Sequence, residues 1–466
     1  MKRFAVYPFL VVLFFLPLQT VYLLREPMIG GEKWQYGTMG IYATDILLIL
    51  VLVLGAYCAR YYVRRRTRSN FEGRKRSFSL LFARKQRASE KAVFAPRSLV
   101  KSFLYSIHIS TRVWSVFFLW TGLSILWAPD RVLAGYFFVK LLLAAGVFFL
   151  SRSFGKRETG LIITVLFTGA VFVSVLGIGQ FLSQSTFTSS WLGMSGQEAW
   201  QAGTSVLKNE SGRWLRAYGT FPHPNMLGGY LGVVLVLGIG YLTQSALSIK
   251  KRLFLEGGSI VILLGLLLTF SRMAWLGILL GISLVGFHTW REGEPRIQER
   301  FLQVFFVLGL AGFVFGCVLR EQIFPRFDTV TVEREKSVTE RITAFQDAWT
   351  LIGKYPLIGV GAGNFTAQSM KENPGRPIWG IQPAHNVLLL IWVELGVIGL
   401  ALFIGSIGSF VSLKSLFFSL QSAGFVVLLP SLLLDHWLWT SHFGILFFAF
   451  LSGYTLRSSR EFERVS

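Results

Sequence analysis

The sequence has little cysteine, little charge and few acidic residues. Its 466 residues include two cysteines, Cys58 and Cys317, and each lies in an apolar run. Cysteines so placed exclude a disulfide framework and a thiolate metal site. Charged residues make up only 15% of the chain and mean hydropathy is +0.54. The 46 basic residues against 24 acidic ones therefore do not indicate a soluble nucleic-acid-binding protein, which would be rich in charge throughout.

Long apolar runs are what the sequence has instead. Twelve of them approach the length of about 20 residues that crosses a membrane. They lie at residues 4–24, 41–59, 113–128, 132–150, 161–182, 226–245, 258–270, 273–290, 301–319, 388–413, 417–434 and 437–454. The first run has no small-residue cleavage site, so we interpret it as a helix and not as a signal peptide. The sequence predicts an all-α, polytopic membrane helix bundle of about 12 transmembrane helices.

The basic residues report the orientation of this bundle. With the N-terminus inside, inner segments hold 30 of the 46 basic and 9 of the 24 acidic residues, a net charge of +21. Outer segments have a net charge of +2. Because basic short loops resist translocation, this bias predicts an even number of spans with both termini in the cytoplasm.

The spans divide the chain into six parts. They are transmembrane helices 1–2 (residues 1–59), a basic cytoplasmic loop (60–112), helices 3–9 (113–319) with an outer loop at 183–224, a large outer loop (320–384), helices 10–12 (385–455) and a cytoplasmic tail (456–466). The basic loop holds 15 basic and 2 acidic residues. Such a loop suits contact with anionic lipid headgroups, but a flexible segment that sets topology explains it as well.

The large outer loop contains one amphipathic pattern. Apolar residues recur at helical spacing, with a polar residue before them as an N-cap and a glycine after them as a stop. These residues are Ile342, Phe345, Trp349 and Ile352, with Thr339 as the cap and Gly353 as the stop. The pattern predicts a helix that lies on the outer face of the bundle.

His385 is the main candidate for a general base. It lies in the sequence Gln-Pro-Ala-His-Asn, where the large outer loop ends and a membrane helix begins. A histidine held there by a rigid element can act on an acceptor hydroxyl at the membrane surface. The alternative is that His385 and Asn386 simply cap the helix.

Arg216 and Arg272 are the candidate phosphate-binding residues. Arg216 precedes a turn with two prolines and a glycine that ends at Asn225, and Arg272 lies between two apolar runs with almost no loop. Guanidinium groups bind phosphate through paired hydrogen bonds. The alternative for Arg272 is that its side chain extends to the membrane interface without binding a substrate.

Three charged residues, Asp45, Lys140 and Glu394, lie inside the apolar runs. Each is near a helix end, so packing or a local ion pair is the expected role. The glycine-rich segment 359–363 lacks a strand-to-helix context, and we interpret it as a bend, not as a nucleotide loop. The sequence also has no zinc-protease motif, no outer aspartate pair and no Walker loop, so we predict no metal and no cofactor.

Four segments together resemble the O-antigen ligase and O-antigen polymerase family. They are RAYGTFPHPNMLGGY from Arg216, the pair Ser271-Arg272, ERITAFQDAWTLIGKYPLIGVGAGNF from Glu340 and HNVLLLIWVELGVIGL from His385. The resemblance covers about residues 161–454, with the motifs in the expected order. The N-terminal part agrees only in its helical layout, and the basic loop has no counterpart in the family pattern.

The resemblance implies a metal-independent glycosyltransferase of the bacterial inner membrane with a GT-C-like helical fold. The donor would be a glycan on undecaprenyl diphosphate, and the acceptor a hydroxyl of a glycan, lipid or protein at the outer face. Arg216 and Arg272 would engage the diphosphate, His385 would act on the acceptor, and Arg341 matches a recurrent family arginine. Asn225 and Asn386, which neighbour these residues, are further candidates for substrate binding.

Several functions remain open at this point. Ligation to an acceptor lipid, polymerisation of repeat units as in polysaccharide biosynthesis, and transfer to protein all use the same chemistry. A transporter or flippase of a polyisoprenoid-linked glycan belongs to a different class, but the sequence shows no repeated pair of interrupted helices in its two halves. A non-catalytic scaffold is the third class.

Overall fold

The structure, a computed structural model, describes residues 2–57, 113–209, 212–323, 332–408 and 420–462. Its helices are α1 (Lys2–Phe15), α2 (Ala43–Tyr57), α3 (Val113–Leu126), α4 (Arg131–Ser153), α5 (Lys156–Ser183), α6 (Pro224–Gln244), α7 (Ile249–Leu267), α8 (Arg272–Glu292), α9 (Pro295–Val318), α10 (Arg320–Ile323), α11 (Val332–Lys354), α12 (Phe365–Glu372), α13 (Val387–Gly408), α14 (Leu420–Val427), α15 (Leu429–Leu434), α16 (Trp437–Thr440) and α17 (His442–Phe462). The whole of the predicted basic loop, residues 60–112, and the last four residues of the chain lie outside these ranges.

Each predicted apolar run overlaps at least one helix in the described part of the chain. Six helices, namely α4, α5, α6, α8, α9 and α13, are long and apolar enough to cross a membrane. The others are shorter or carry more charge, so the number twelve stays a prediction. The structure thus confirms a mostly helical protein with several candidate membrane spans.

The helices at the two ends of the chain differ in length from the predicted spans. The first run was expected to be helical to Leu24, but α1 ends at Phe15, and a strand occupies Val21–Arg25. Pro17 provides a reason, since proline lacks the N–H that a continuing helix needs. At the other end, α17 continues to Phe462, so the predicted tail begins as helix.

Helix α6 forms the centre of the bundle. Its most apolar stretch is 94% buried, and it packs against α5, α7, α8 and α14. Glycines let these neighbours come close, because a Cβ atom at Gly229 would lie 2.6 Å from the Trp437 ring and one at Gly228 would touch Ala274 and Thr269. Small residues at helix contacts are the usual means of close packing in a membrane. The N-terminus of α6 is thereby held in the middle of one end of the bundle, which we call the site end.

Short antiparallel hairpins cover the site end. Strand β1 (Val21–Arg25) pairs with β4 (Met39–Tyr42), and β2 (Met28–Ile29) with β3 (Glu32–Lys33) between them. In the segment between α5 and α6, β5 (Ser185–Thr186) pairs with β6 (Gln197–Glu198), and β7 (Val206–Asn209) with β8 (Gly212–Leu215). The sequence analysis did not predict these strands.

The amphipathic segment forms a helix, α11, but its buried face differs from the prediction. The buried residues are Ala344, Ala348, Leu351 and Ile352, whereas Ile342, Phe345 and Trp349 are about half exposed. The helix also begins at Val332, before the predicted cap at Thr339, and continues one residue past Gly353. Small residues allow α11 to approach α13, and the half-exposed Trp349 packs edge-on against Trp392 of that helix.

The three intramembrane charges are paired, as expected. Lys140 on α4 forms an ion pair with Asp45 on α2, and His442 on α17 lies 3.6 Å from the same carboxylate. Glu394 on α13 accepts hydrogen bonds from the Gly363 backbone and from the Trp439 indole, each at 2.8 Å. Buried charges need such partners to avoid a large desolvation cost. Both clusters therefore tie separate helices together.

The glycine-rich segment forms the expected bend. Gly359, Gly361 and Gly363 have φ values of +70°, +101° and +68°, a region that glycine adopts without strain. The bend lies along α13, where Gly396 interrupts the helix with a φ of +70°. The Val360 and Gly361 amides donate to the Val393 and Glu394 carbonyls at this interruption.

Candidate active site

Four separate parts of the chain meet at the site end. They are the turn before α6 (216–225), the turn between α7 and α8 (269–272), the segment before α13 (385–386) and the dipeptide between α15 and α16 (435–436). The helices that follow these segments hold them in place. The site is thus built at helix ends, which are rigid positions from which side chains reach beyond the apolar interior.

Arg216 is buried, and its guanidinium group donates hydrogen bonds to three oxygen atoms. Only 6% of the residue is exposed. Its Nε donates to the Thr269 carbonyl at 2.7 Å, Nη1 to the Ser205 hydroxyl at 2.7 Å and Nη2 to the Asn225 side-chain oxygen at 2.9 Å. Three different segments therefore fix one guanidinium group.

The turn between α7 and α8 joins Arg216 to Arg272. The Thr269 carbonyl accepts from Arg216, and the Leu268 carbonyl accepts from the Ala217 backbone at 2.9 Å. Phe270 is fully buried with a φ of +48°, an uncommon conformation for a bulky residue. This turn starts α8 at Arg272, whose side chain is exposed. The two predicted phosphate-binding arginines thus flank one tight turn.

Asn225 links Arg216 to a buried acid. Its side-chain amide donates to the Asp435 carboxylate at 2.8 Å, while its oxygen accepts from Arg216. Asp435 is 5% exposed and also accepts from the His436 backbone at 2.7 Å. Burial raises the pKa of Asp435, but His436, His385, His223 and the Asn225 amide outweigh that effect, so the pKa lies below its usual value. The carboxylate is therefore charged at neutral pH.

His385 and His436 form an edge-to-face pair beside Asp435. Their ring centroids lie 4.8 Å apart at 82°. The His436 Nδ1 lies 2.7 Å from the Thr440 hydroxyl, and Tyr36 packs edge-on against the same ring. His385 is half-buried, and its Nδ1 is buried without a hydrogen-bond partner among the described residues. The Pro383 backbone acts on the ring in the direction that raises its pKa.

Burial and neighbouring positive charge keep both imidazoles neutral. Burial is the main reason that the pKa of His385 falls to about 3, and His436 and Arg341 add to the effect while Asp435 opposes it. The pKa of His436 is also lowered, by burial first and by Arg341 next. A neutral imidazole has a free lone pair, as a general base requires.

His223 is the third histidine of this region. It caps α6, with its Nδ1 accepting from the Asn225 backbone at 3.1 Å. Its ring is accessible, but protein surrounds it at longer range, and this desolvation lowers its pKa to about 3, helped by the positive charge of Arg216. His223 thereby positions Asn225, the residue that links Arg216 to Asp435.

Two predicted residues occupy supporting positions. Asn386 caps α13 by accepting from the Leu389 backbone at 2.9 Å, and its amide donates to the Leu433 carbonyl at 3.0 Å. The capping alternative therefore describes its contacts, and a role in substrate binding stays a prediction. Arg341 on α11 is exposed and acts on His385 and His436 through its charge.

The histidine pair and Asp435 also have the composition of a cation site. One nitrogen or oxygen from each of His385, Asp435 and His436 lies within 4.8 Å of the others. Such a set could hold a metal ion, or it could serve as a base with its anionic partner. Our prediction of no metal is not tested by this geometry.

Sequence reasoning identified the arginines, His385 and Asn225 of this network but not the acid that lies between them. Arg216, Arg272, His385 and Asn225 were candidates, whereas Asp435, Ser205 and the pairing of His436 with His385 were missed. The available signal was the Asp435-His436 dipeptide between two apolar runs. Its partners lie 50 or more residues away in the chain, so no local pattern connects them.

A comparison with known families finds one match, and it covers part of the chain. Residues 257–404 match a family model described as O-antigen ligase. This region includes Arg272, Arg341 and His385, while Arg216 and Asp435 lie outside it. No curated protein matches the chain in sequence. The match confirms the family resemblance over residues 257–404, which hold three of the four quoted segments: the chain is a multi-pass membrane protein with an O-antigen ligase family domain there.

Proposed function

We propose that the protein transfers a glycan from undecaprenyl diphosphate to an acceptor hydroxyl at the outer face of the inner membrane, without a metal. The observation that supports this most is the chain of hydrogen bonds from Arg216 through Asn225 to Asp435, beside the histidine pair. These contacts bring a guanidinium group and a neutral imidazole to the same end of the bundle. Transfer of a glycosyl group from a diphosphate needs both.

Arg216 and Arg272 serve the leaving group in this proposal. As the bond between the anomeric carbon and the phosphate oxygen breaks, negative charge develops on the diphosphate. Two guanidinium groups stabilise that charge through paired hydrogen bonds. The neutral Ser205 and Asn225 oxygens that now orient Arg216 can be exchanged for phosphate oxygens at lower cost than a carboxylate partner could.

His385 serves the acceptor. Its imidazole takes the proton of the acceptor hydroxyl as that oxygen bonds to the anomeric carbon. Asp435, which is charged and adjacent, stabilises the resulting imidazolium. A single displacement of this kind inverts the anomeric configuration. His436 and Arg341 shape the electrostatics of the base without touching the reacting atoms.

The identity of the acceptor separates three versions of the reaction. Ligation to a lipid is the version we favour, and polymerisation or transfer to protein are the alternatives. A polymerase lengthens glycan chains, whereas a ligase moves finished ones. A flippase would move lipid-linked glycan across liposomes with no dependence on His385.

Reaction of the purified protein with a lipid-linked glycan and several acceptors tests the proposal. Product length is measured on a gel for wild type, His385→Ala and, as a matched control, His288→Ala, which removes a histidine near the opposite end of α8. We expect transfer by wild type and the control and loss of most activity in His385→Ala. Equal transfer by all three proteins would refute the assignment of the base.

A further inference from the structure

A shallow cleft with a basic rim lies at the site end and takes no part in the chemistry described above. Strand β1, the turn that leads into α4 and the end of α12 form its walls. We call it the basic cleft, and its lining includes Arg25, Trp127, Ala128, Asp130, Arg131 and Lys371. The predicted outer segments have a net charge of only +2. Three basic residues from distant parts of the chain therefore concentrate positive charge at one place on a nearly neutral face.

The acid in the described lining of the basic cleft is already paired. Asp130 caps α4 by accepting from the Leu133 backbone at 3.0 Å, and its other carboxylate oxygen forms an ion pair with Arg25 at 2.5 Å. Arg131 and Lys371 are exposed and have no ion-pair partner in the part of the chain that the structure describes. The rim therefore has two positive charges that an external anion can meet.

The glycine-rich bend holds the floor of the basic cleft. A Cβ atom at Gly361 would lie 2.6 Å from the Ala128 side chain, so the bend packs directly against this floor. The fully buried Asn364 accepts from the Asp130 backbone N–H at 2.8 Å and donates to the Asp130 carbonyl at 3.2 Å. The bend is itself bonded to α13, where the Gly361 amide donates to the Glu394 carbonyl. A rim with a fixed backbone loses little conformational entropy when it binds a ligand.

The hairpin of β1 and β4 connects the basic cleft to the histidine pair. Arg25 lies opposite Met39 in this hairpin, and Tyr36 lies just before β4. The Tyr36 hydroxyl donates to the Gln382 side-chain oxygen at 2.7 Å, and its ring packs edge-on against His436. Tyr36 also packs on a small buried cluster, which consists of Trp34, Met39, Leu133 and Ala367. Elements packed across one such layer lie about 10 Å apart, so a glycan that begins at the histidine pair reaches the basic cleft within a few sugar units.

The side chains of the basic cleft suit an acidic sugar. Guanidinium and ammonium groups bind carboxylates and phosphates through charge-assisted hydrogen bonds. Trp127 adds a half-buried indole ring beside these charges, and an aromatic surface packs well against the C–H face of a sugar ring. A neutral sugar would gain the packing but would leave both exposed charges without a partner.

We propose that the basic cleft binds a carboxylate or phosphate group on a glycan substrate, a few sugar units from the reacting hydroxyl. The inference rests on the proposed function, because it takes the histidine pair as the place where that hydroxyl reacts. The basic cleft then selects acidic glycans over neutral ones of the same length. Since the hairpin that carries Arg25 also meets His436, we expect the acidic sugar to belong to the acceptor.

Binding of a short acidic glycan tests the basic cleft without requiring turnover. The probes are trigalacturonate and its neutral counterpart galactotriose, with the full chain in phosphatidylcholine nanodiscs and saturation-transfer NMR as the measurement. We expect binding of trigalacturonate alone, with affinity that falls at high salt and about tenfold in the double variant Arg131→Gln/Lys371→Gln. The matched control is Lys208→Gln/Arg320→Gln, which removes two exposed basic residues outside the basic cleft and should bind as wild type does. Equal binding of galactotriose, or unchanged affinity in the first double variant, would overturn the proposal.

Transfer kinetics identify the substrate that carries the acidic sugar. Glycans with galacturonate or galactose at the same position are compared as acceptor and as donor, in wild type and in Arg131→Gln/Lys371→Gln. We expect the double variant to raise the KM of the acidic acceptor about tenfold and to leave kcat and the donor KM unchanged. A rise confined to the KM of the acidic donor would support the basic cleft and assign the acidic sugar to the donor. Equal KM values for acidic and neutral glycans in both roles would overturn the proposal.

The outcomes separate this inference from the proposed function. If trigalacturonate binds at the basic cleft but no acceptor is glycosylated, the glycosyltransferase proposal fails and the basic cleft stands. If transfer proceeds and neither probe binds, the inference fails and the glycosyltransferase proposal stands. If short-chain phosphatidylglycerol binds at the basic cleft more tightly than trigalacturonate does, the basic cleft takes a lipid headgroup and the inference fails.

Discussion

Arg216 is the residue on which the geometry of the site depends most. Its guanidinium connects the turn between α7 and α8, the hairpin segment at Ser205 and the start of α6. A lysine at this position keeps the charge but has no planar fork, so it cannot meet the three oxygens together. The same change at Arg272 removes the fork but leaves this network intact.

We expect Arg216→Lys and Arg272→Lys each to lower the transfer rate by about 100-fold or more, the usual effect of losing one group that stabilises a leaving anion. Arg213→Lys is the control, since Arg213 donates to the Ala199 carbonyl within the hairpin region. Initial rates with a lipid-linked donor measure the effect. Wild-type rates in Arg272→Lys would contradict its assignment to the diphosphate.

Asp435 should affect kcat more than it affects binding of the donor. In Asp435→Asn the carboxylate that faces the histidine pair becomes neutral, so the imidazolium formed at His385 loses its counter-charge. We expect kcat to fall by about 100-fold, in the range of lost acid–base catalysis, with a smaller change in the KM of the donor. Separate measurement of kcat and KM checks this, and a purely structural role would show as loss of folded protein instead.

The low pKa of His385 predicts the pH dependence of the reaction. A base works only when unprotonated, and the pKa of this imidazole is lowered to about 3, chiefly by burial. The pH dependence of kcat/KM reports groups of the free enzyme. Loss of kcat/KM through protonation of His385 should therefore occur only well below pH 6. A rate profile between pH 4 and pH 8 measures it. Half-maximal activity near pH 6.5, the value for an exposed histidine, would be inconsistent with a buried neutral base.

Among the helices, α13 has a shape that depends on one glycine, Gly396. Gly396 has a φ of +70°, and a Cβ atom there would lie 2.0 Å from the Leu357 carbonyl oxygen. Gly405, on the same helix, has only an ordinary contact at 3.7 Å. Since His385 precedes this helix, its shape affects the position of the base.

We expect Gly396→Ala to lower the melting temperature and the yield of folded protein, because both sterics and backbone strain oppose the new methyl group. Gly405→Ala is the matched control and should leave Tm unchanged or slightly raised, given the higher helix propensity of alanine. Thermal unfolding in detergent compares the two. Equal effects would show that the interruption at Gly396 is not required for the fold.

Glu394, on the same helix, should also contribute to stability. Glu394→Ala leaves the Gly363 amide and the Trp439 indole N–H buried without an acceptor, which should cost about 3 kcal/mol of stability. Glu394→Gln keeps one oxygen and should lose less. Unfolding free energies of the two variants in the same detergent measure the difference, and a larger loss in the glutamine variant would contradict it.

The elements also show where sequence reasoning works for a membrane protein and where it does not. Helices could be predicted because a long apolar segment in a bilayer must satisfy its backbone hydrogen bonds internally, and a helix does so. The buried face of α11 could not, because the side that faces lipid or the interface is as apolar as the side that faces protein. Ala344 and Ala348, which make the contact, are less hydrophobic than the exposed Phe345 and Trp349.

At the scale of the whole molecule, the site arises from the packing around α6. Arg216, His385 and Asp435 come from distant parts of the chain. Asn225, which accepts from Arg216, lies at the start of α6, and α13 reaches the same end through its contacts with α15 and α16. Motif order suggested Arg216, Arg272 and His385 as a set through family resemblance. The Asn225–Asp435 hydrogen bond joins residues 210 apart in sequence, and no spacing rule in a single sequence can predict such a contact.

In the proposed reaction, cleavage of the lipid diphosphate and attack by the acceptor are one event at this end of the bundle. The most direct measurement is the release of undecaprenyl diphosphate by the purified protein in the presence of EDTA, followed together with glycan transfer. We predict one diphosphate released per glycan transferred, dependence on acceptor, and no effect of EDTA. Release without an acceptor, or loss of transfer in EDTA that added metal restores, would contradict the account.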